Sequence, residues 1–279
     1  MQMNDDELVS SLELTEDEMQ LYSRQILLEG WDLEAQEKLK LANVLIVGCG
    51  GIGCTTAELL ARAGVGQITL IDPDTVEMSN LQRQIGFTPQ DVGFFKAEVL
   101  AQRLRTINPQ IIVNDYVDQL CLENAASLIS SQDLVLDGCD NFNTRYLVNA
   151  YCKQLDVALI SASAIGFQGQ LLMTEADAAC YECLFPKQSI SEQRKAEQKA
   201  SLQQTQTPSC AESGVLATTP NVIASLQAHH ALLYLGLNRS PLKQKLLLWD
   251  GLTMTQRILA FEVEQNCPIC QARQSATAI

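Results

Sequence analysis

"LIVGCGGIGCTTAELLARAGVGQITLIDPD", residues 45–74, decides the fold. "NVLIVG" enters it as a short, β-branched apolar run bounded by glycine, which reads as a buried strand. A glycine turn follows, then a helix from Thr55 that Gly64 ends. "QITLID" is a second strand. Strand, helix and strand in that order call for a parallel sheet with helices on its faces. Within the turn, Gly48, Gly50, Gly51 and Gly53 spell G-x-G-G-x-G. Glycine lets the backbone turn tightly and approach a ligand, and the helix N-terminus supplies N–H donors and a positive dipole for phosphate. Asp72 ends the second strand, 19 residues after Gly53, where a carboxylate accepts from ribose hydroxyls. An adenosine nucleotide is the expected ligand, and the loop alone favours NAD.

The flanking sequence extends the pattern. Thr15 and Glu18 are spaced as a capping box for an N-terminal helix, and Asp32 caps a second. After residue 74, "KAEVLAQRLRTINP" reads as a helix stopped by Asn108-Pro109. "IIVNDYV" and "DLVLDG" read as strands on either side of the helix "ENAASLISS", and "VALISAS" as another strand. Residues 186–209 are polar and poor in large apolar side chains, which reads as a mobile crossover loop with some helical tendency. "TPNVIASLQAHHALLYLGL" is a helix with Thr219 as N-cap and Pro220 at its first position. "KLLLWDG" and "TQRILAFEV" form a hairpin, and "NCPICQ" closes the ordered part. The expectation is a Rossmann-like, doubly wound α/β fold whose mainly parallel sheet continues into a C-terminal antiparallel part. All of residues 1–279 belong to one domain: N-terminal helices in 1–42, a nucleotide-binding part in 43–165, and a C-terminal part in 166–279.

Composition sets the bounds. An apolar fraction of 47% in 279 residues supports a real core. The net charge of −14 argues against a nucleic-acid partner. No run approaches the roughly 20 apolar residues of a membrane helix, and the acidic N-terminus lacks a signal peptide's pattern, so a cytoplasmic protein is expected. With only two histidines, His229 and His230, a histidine base has few openings.

The next segments move the reading away from NAD. "SNLQRQ" places Asn80 and Arg83 just past the ribose carboxylate, and "FFKAEV" puts Lys96 at a helix start. "LDGCDN" puts Asp140 and Asn141 at a strand's C-terminal end, where open α/β sheets bind ligands. Arginine and lysine beside the phosphates serve phosphoryl or nucleotidyl transfer by neutralising developing charge, and an aspartate there suits Mg²⁺. Taken singly, Arg83 also reads as a surface ion pair and Lys96 as a solvated helix residue.

Cys180-x-x-Cys183 and Cys267-x-x-Cys270 match a structural Zn²⁺ site of four thiolates. A redox pair or buried thiols are the other readings. With four sulfur ligands no coordination position stays open, so the metal would be structural. Cys210, outside both pairs, is either a nucleophile or a spare thiol. Cys49, Cys54, Cys121, Cys139 and Cys152 read as small apolar fillers.

Together these residues resemble the ThiF/MoeB/HesA family, the bacterial relatives of ubiquitin-activating enzymes. "RQILL", "VGCGGIGC", "AGVGQITLID", "SNLQRQ", "CDN", "CYEC", "WDG" and "CPIC" fall in the family's order, from about Thr15 to Gln271. The resemblance implies Mg-ATP-dependent adenylation of the C-terminal glycine of a small ubiquitin-like sulfur-carrier protein ending in Gly-Gly. It implies that Gly51 and Asp72 hold the nucleotide, that Asn80, Arg83 and Lys96 act on the phosphates, and that Asp140 binds Mg²⁺. Arg24 is similar to the family arginine that reaches into a neighbouring subunit, which implies a homodimer. The four CxxC cysteines match the family's zinc ligands. Cys210 matches a cysteine that some members link to the carrier or to a sulfur donor. The stretch between Cys183 and Cys210 is longer than in small bacterial members, and "AESG" after Cys210 departs from the thiamin branch. No rhodanese domain is expected after Cys270, so later sulfur transfer would need a separate sulfurtransferase or cysteine desulfurase. The opening residues resemble the molybdopterin branch and "SASAIGFQGQL" the thiamin branch, with a slight lean to the molybdopterin-synthase carrier. An NAD(P)-dependent oxidoreductase explains the glycine loop and Asp72 but neither Arg83 and Lys96 nor the CxxC pairs.

Overall fold

The computed structural model describes residues 13–187 and 214–277. The crossover loop expected in residues 186–209 therefore lies almost wholly outside the described residues, as does Cys210. Three helices come first: α1 (Glu16–Leu21), α2 (Ser23–Ile26) and α3 (Asp32–Leu41). The capping box forms, with Thr15 Oγ1 accepting from the Glu18 N–H and Glu18 Oε2 from the Thr15 N–H. The sequence places Asp32 as the cap of α3, but the helix starts at Asp32 with Trp31 as its cap; Asp32 sits at φ +49°, and its carboxylate accepts from the Glu34 N–H within the first turn.

Strand β1 (Asn43–Val47), helix α4 (Gly53–Ala63) and strand β2 (Gln67–Ile71) form the expected βαβ unit, with Gly64 closing α4 at φ +91°. The helix begins at Gly53, two residues before Thr55, so the last glycine of the motif lies inside its first turn. Helix α5 (Lys96–Ile107), strand β3 (Ile112–Tyr116), helix α6 (Ala125–Ile129), strand β4 (Leu134–Asp137), helix α7 (Phe142–Gln154) and strand β5 (Ala158–Ile165) follow. Beyond them lie strand β6 (Gln168–Thr174), the short helix α8 (Tyr181–Leu184), helix α9 (Thr218–Leu237), strands β7 (Lys245–Asp250) and β8 (Thr255–Ala260), and helix α10 (Pro268–Thr277).

One eight-stranded sheet runs through the molecule in the order β3-β2-β1-β4-β5-β6-β7-β8. β1 to β5 pair in parallel, and β5 to β8 are antiparallel. The mixed sheet is the one expected, and its strand order reverses between β1 and β4, the switch point at which open α/β sheets bind ligands. Alternation along each strand divides the core. One face packs Ile46, Ile68 and Leu70 under α3, α4, α5 and α9; the other packs Leu45, Val47 and Leu159 under α6 and α7.

Three further expectations are corrected. β6 was not read as a strand. Thr219 does not cap α9, which starts at Thr218, two residues before the expected Pro220, with Ala217 as cap; the Thr219 hydroxyl donates to the Gly166 carbonyl instead. The order does not close at "NCPICQ", because α10 continues to Thr277.

Candidate active site

The glycine loop is shaped by two positions. Gly48 adopts φ +90°, and a Cβ there would meet the Cys139 backbone at 3.3 Å; a Cβ on Gly53 would lie 1.7 Å from the Gly48 carbonyl oxygen. Only glycine lets β1 turn this tightly into α4 while the β4 loop passes alongside. The result is a cleft of about 380 Å³ at the C-terminal ends of β1, β2 and β4. Gly48, Gly50, Gly51, Asp72, Arg83, Lys96, Asp140 and Asn141 all line it.

Asp72 is 5% exposed and accepts from the Cys49 N–H at 2.7 Å and the Asp74 N–H at 2.8 Å. Each oxygen keeps a lone pair for a ribose hydroxyl. Burial raises its pKa from the ordinary aspartate value, with Lys96 and the two amides opposing. Lys96 opens α5, and its ammonium contacts Asp74 Oδ2 at 2.8 Å. Arg83 is half-buried; its Nη1 donates to the Ser79 carbonyl, and its own carbonyl accepts from Asn221 of α9. A Cβ on Gly51 would meet Pro220 at 3.2 Å, so the first turn of α9 roofs the glycine loop. Asp140 is exposed and has no hydrogen bond or ion pair among the described residues, which leaves a carboxylate open to a hard cation. Asn141 lines the cleft and also caps α7 by accepting from the Thr144 N–H.

Three expected site residues stand apart from this cleft. Asn80 is buried, accepts from the Glu77 N–H within a 3-10 turn, and does not line the cleft. Gly53 lies behind its neighbours in α4. Arg24 lies exposed on α2, away from this chain's own cleft. Cys139, read as an apolar filler, is half-buried and lines the cleft, and burial pushes its thiol well up. Cys121 is half-buried too, while Cys49, Cys54 and Cys152 are buried as expected.

Sequence reasoning also missed the frame that holds the Asp140 loop. Arg145 Nε donates to Asp137 Oδ2 at 2.9 Å, and its Nη2 donates to the Cys139 carbonyl at 2.6 Å and the Ala162 carbonyl at 3.0 Å. Ser161 donates to the same Asp137 oxygen at 2.6 Å. Burial works against the Arg145 charge, but Asp137 outweighs it and keeps the guanidinium protonated. The pair is almost fully buried, so its value lies in fixing the loop that it crosses. The signal was present as an aspartate at a strand end with an arginine eight residues on.

On the far side of α7 the four cysteines converge. The Sγ atoms of Cys180, Cys183, Cys267 and Cys270 lie within 4.8 Å of one another. Neighbouring sulfurs are 3.5 to 3.8 Å apart. A tetrahedron of thiolates at about 2.3 Å from Zn²⁺ has edges of about 3.8 Å, so the cluster fits a closed zinc site. It joins α8 to α10.

A glycine loop, the Asp72 carboxylate and the side chains of Arg83, Lys96 and Asp140 thus line one cleft, an arrangement whose chemistry suits a nucleotide and its phosphates. The ThiF family pattern matches residues 22–271, and the chain belongs to that family. It is an adenylyltransferase. It is 38% identical over 263 residues to the molybdopterin-synthase adenylyltransferase of Salmonella typhimurium, covering 92% of this chain and 98% of that one. It is 39% identical over 251 residues to the sulfur carrier protein ThiS adenylyltransferase of Escherichia coli, covering 89% and 94%. The solved structure of E. coli MccB with ATP superposes with a TM-score of 0.72 at 28% identity, over 85% of this chain and 69% of that one. Membership of this family displaces the oxidoreductase alternative.

Proposed function

We propose that the protein adenylates the C-terminal glycine of a small ubiquitin-like sulfur carrier, with the molybdopterin-synthase carrier favoured over the thiamin carrier. The convergence of Asp72, Arg83, Lys96 and Asp140 on one glycine cradle carries the reading. ATP lies with its ribose on Asp72 and its phosphates between the glycine loop, Arg83 and Lys96. The carrier's terminal carboxylate, ionised at neutral pH, attacks the α-phosphate. The bond from the α-phosphorus to the bridging oxygen breaks, and pyrophosphate leaves with the electron pair. No histidine is required, because the enzyme's task is to position the reactants and neutralise charge. Asp140 would hold Mg²⁺, which would supply further charge neutralisation at the phosphates.

A homodimer would let Arg24 of each subunit serve the other's cleft, and its exposure away from its own cleft supports that reading. Later replacement of the adenylate by sulfur falls to a separate sulfurtransferase or cysteine desulfurase, with Cys210 acting, if at all, after adenylation. Among the described residues no helix is long and apolar enough to cross a membrane.

ATP–pyrophosphate exchange with Mg²⁺ tests the proposal, using molybdopterin-type and thiamin-type carriers in parallel. Exchange with the molybdopterin carrier alone is expected. Exchange with the thiamin carrier alone reassigns the pathway, and none with either overturns the substrate class.

A further inference from the structure

Beside the nucleotide cleft, part of one face of the four antiparallel strands is left open among the described residues. Ser163 pairs with Gln170, Gln170 with Leu248, and Leu248 with Arg257. Directly opposed residues share a face, so these four form one row across β5, β6, β7 and β8. The opposite face, with Leu171 and Leu247, is covered by α9 through Ile223. α9 is pressed so close there that a Cβ on Gly169 would lie 2.2 Å from Ile223. The open row floors a groove of about 660 Å³, which shares Asp140, Asn141 and Ser163 with the nucleotide cleft. An extended tail leaving the cleft continues directly into it.

Charge along this groove is unevenly committed. Arg145 is locked on Asp137. Asp250 accepts from Gln168 and from the Leu252 and Thr253 amides. Arg257 is exposed and makes no hydrogen bond or ion pair among the described residues. A bare guanidinium on the wall of a peptide groove, in a chain of net charge −14, discriminates by charge.

We infer that Arg257 is a charge gate for the carrier tail, favouring an acidic side chain and rejecting a basic one at about the fifth residue from the carrier's C-terminus. The position follows from geometry. Three strand spacings separate Ser163 from Arg257, about 14 Å at roughly 4.8 Å each. An extended chain covers that distance in about four residues. With the terminal glycine at Ser163, the residue four places earlier lies at Arg257. The gate rests on the sulfur-carrier reading of the site, and it adds which tails that site accepts.

The test uses whichever of the two carrier types supports exchange, with Glu, Ala or Lys placed in turn at the fourth, fifth and sixth residues from its end. With the unaltered enzyme, the carrier KM should rise from Glu to Ala to Lys by on the order of tenfold overall at one of these positions. The ATP KM should stay put, and the spread should shrink at high salt. Arg257→Glu should reverse the order, and Arg257→Gln should flatten it. An order that survives Arg257→Glu at all three positions overturns the gate while leaving the adenylyltransferase reading intact. Absence of exchange with every carrier overturns the reading beneath it.

Discussion

The Lys96 ammonium lies 2.8 Å from the Asp74 carboxylate, joining the first turn of α5 to the loop after β2. The Lys96 backbone N–H also donates to the Asp74 carbonyl, so the helix start is tied to that loop twice. The lysine is nearly buried while Asp74 stays largely open to the cleft. Lys96 is therefore held at the cleft with its direction already set, as the proposed contact with the phosphates requires.

Lys96→Ala should leave the fold intact and reduce pyrophosphate exchange by about 10²–10³-fold, the effect of removing one preorganised group at developing charge. Circular dichroism alongside the exchange assay checks both halves. A near-normal rate would remove Lys96 from the mechanism.

Asp72 gives a pH dependence. Burial raises its pKa in the folded protein above the unfolded value of about 3.9. At more acidic pH both states hold the proton and stability is not penalised. As pH rises through the unfolded value towards the raised one, the unfolded chain loses its proton first and the folded state loses relative stability. Thermal melts of the protein and Asp72→Asn should therefore diverge across this window, with the variant spared the loss. The ATP KM should rise on acidification at a pH above the unfolded aspartate value, and parallel curves for the two proteins would refute the assignment.

Gly53→Ala places a methyl group where the Gly48 carbonyl already lies. The loop must move, at a cost of about 1–3 kcal/mol. A lower Tm and a raised ATP KM are expected together. A normal KM would mean that the loop's shape does not matter to nucleotide binding.

Cys180→Ser removes one of four converging thiols. Elemental analysis should show one zinc per chain in the unaltered protein and close to none in the variant, with a fall in Tm. Equal metal content in both would refute the four-cysteine site.

The nucleotide half was legible because its signals are local. Glycines stand at fixed offsets, β-branched runs bound them, and Asp72 falls where the second strand must end. The CxxC spacings pointed to the same four cysteines that the fold brings together. What escaped depended on distant partners. "GFQGQ" looks like a turn, and Gln168, Gly169 and Gln170 become strand only because β5 and β7 pair on either side. Thr219 has the chemistry of a cap, but the Gly166 carbonyl takes its hydroxyl. Arg145 stands only eight residues from Asp137, but its role shows only when the fold also brings the Ala162 carbonyl, 17 residues on, to the same guanidinium.

The cysteine cluster joins residues 87 apart, and the span it encloses contains α9, β7 and β8, the roof of the glycine loop and the wall of the groove. Residues 186–209 fall inside the same ring. Once its ends are stapled, lengthening a connection within it is inexpensive, about 0.6 kcal/mol for each doubling. A longer or shorter connection there is thus tolerated at little cost in stability, while the strands and helices around the nucleotide cleft keep their places.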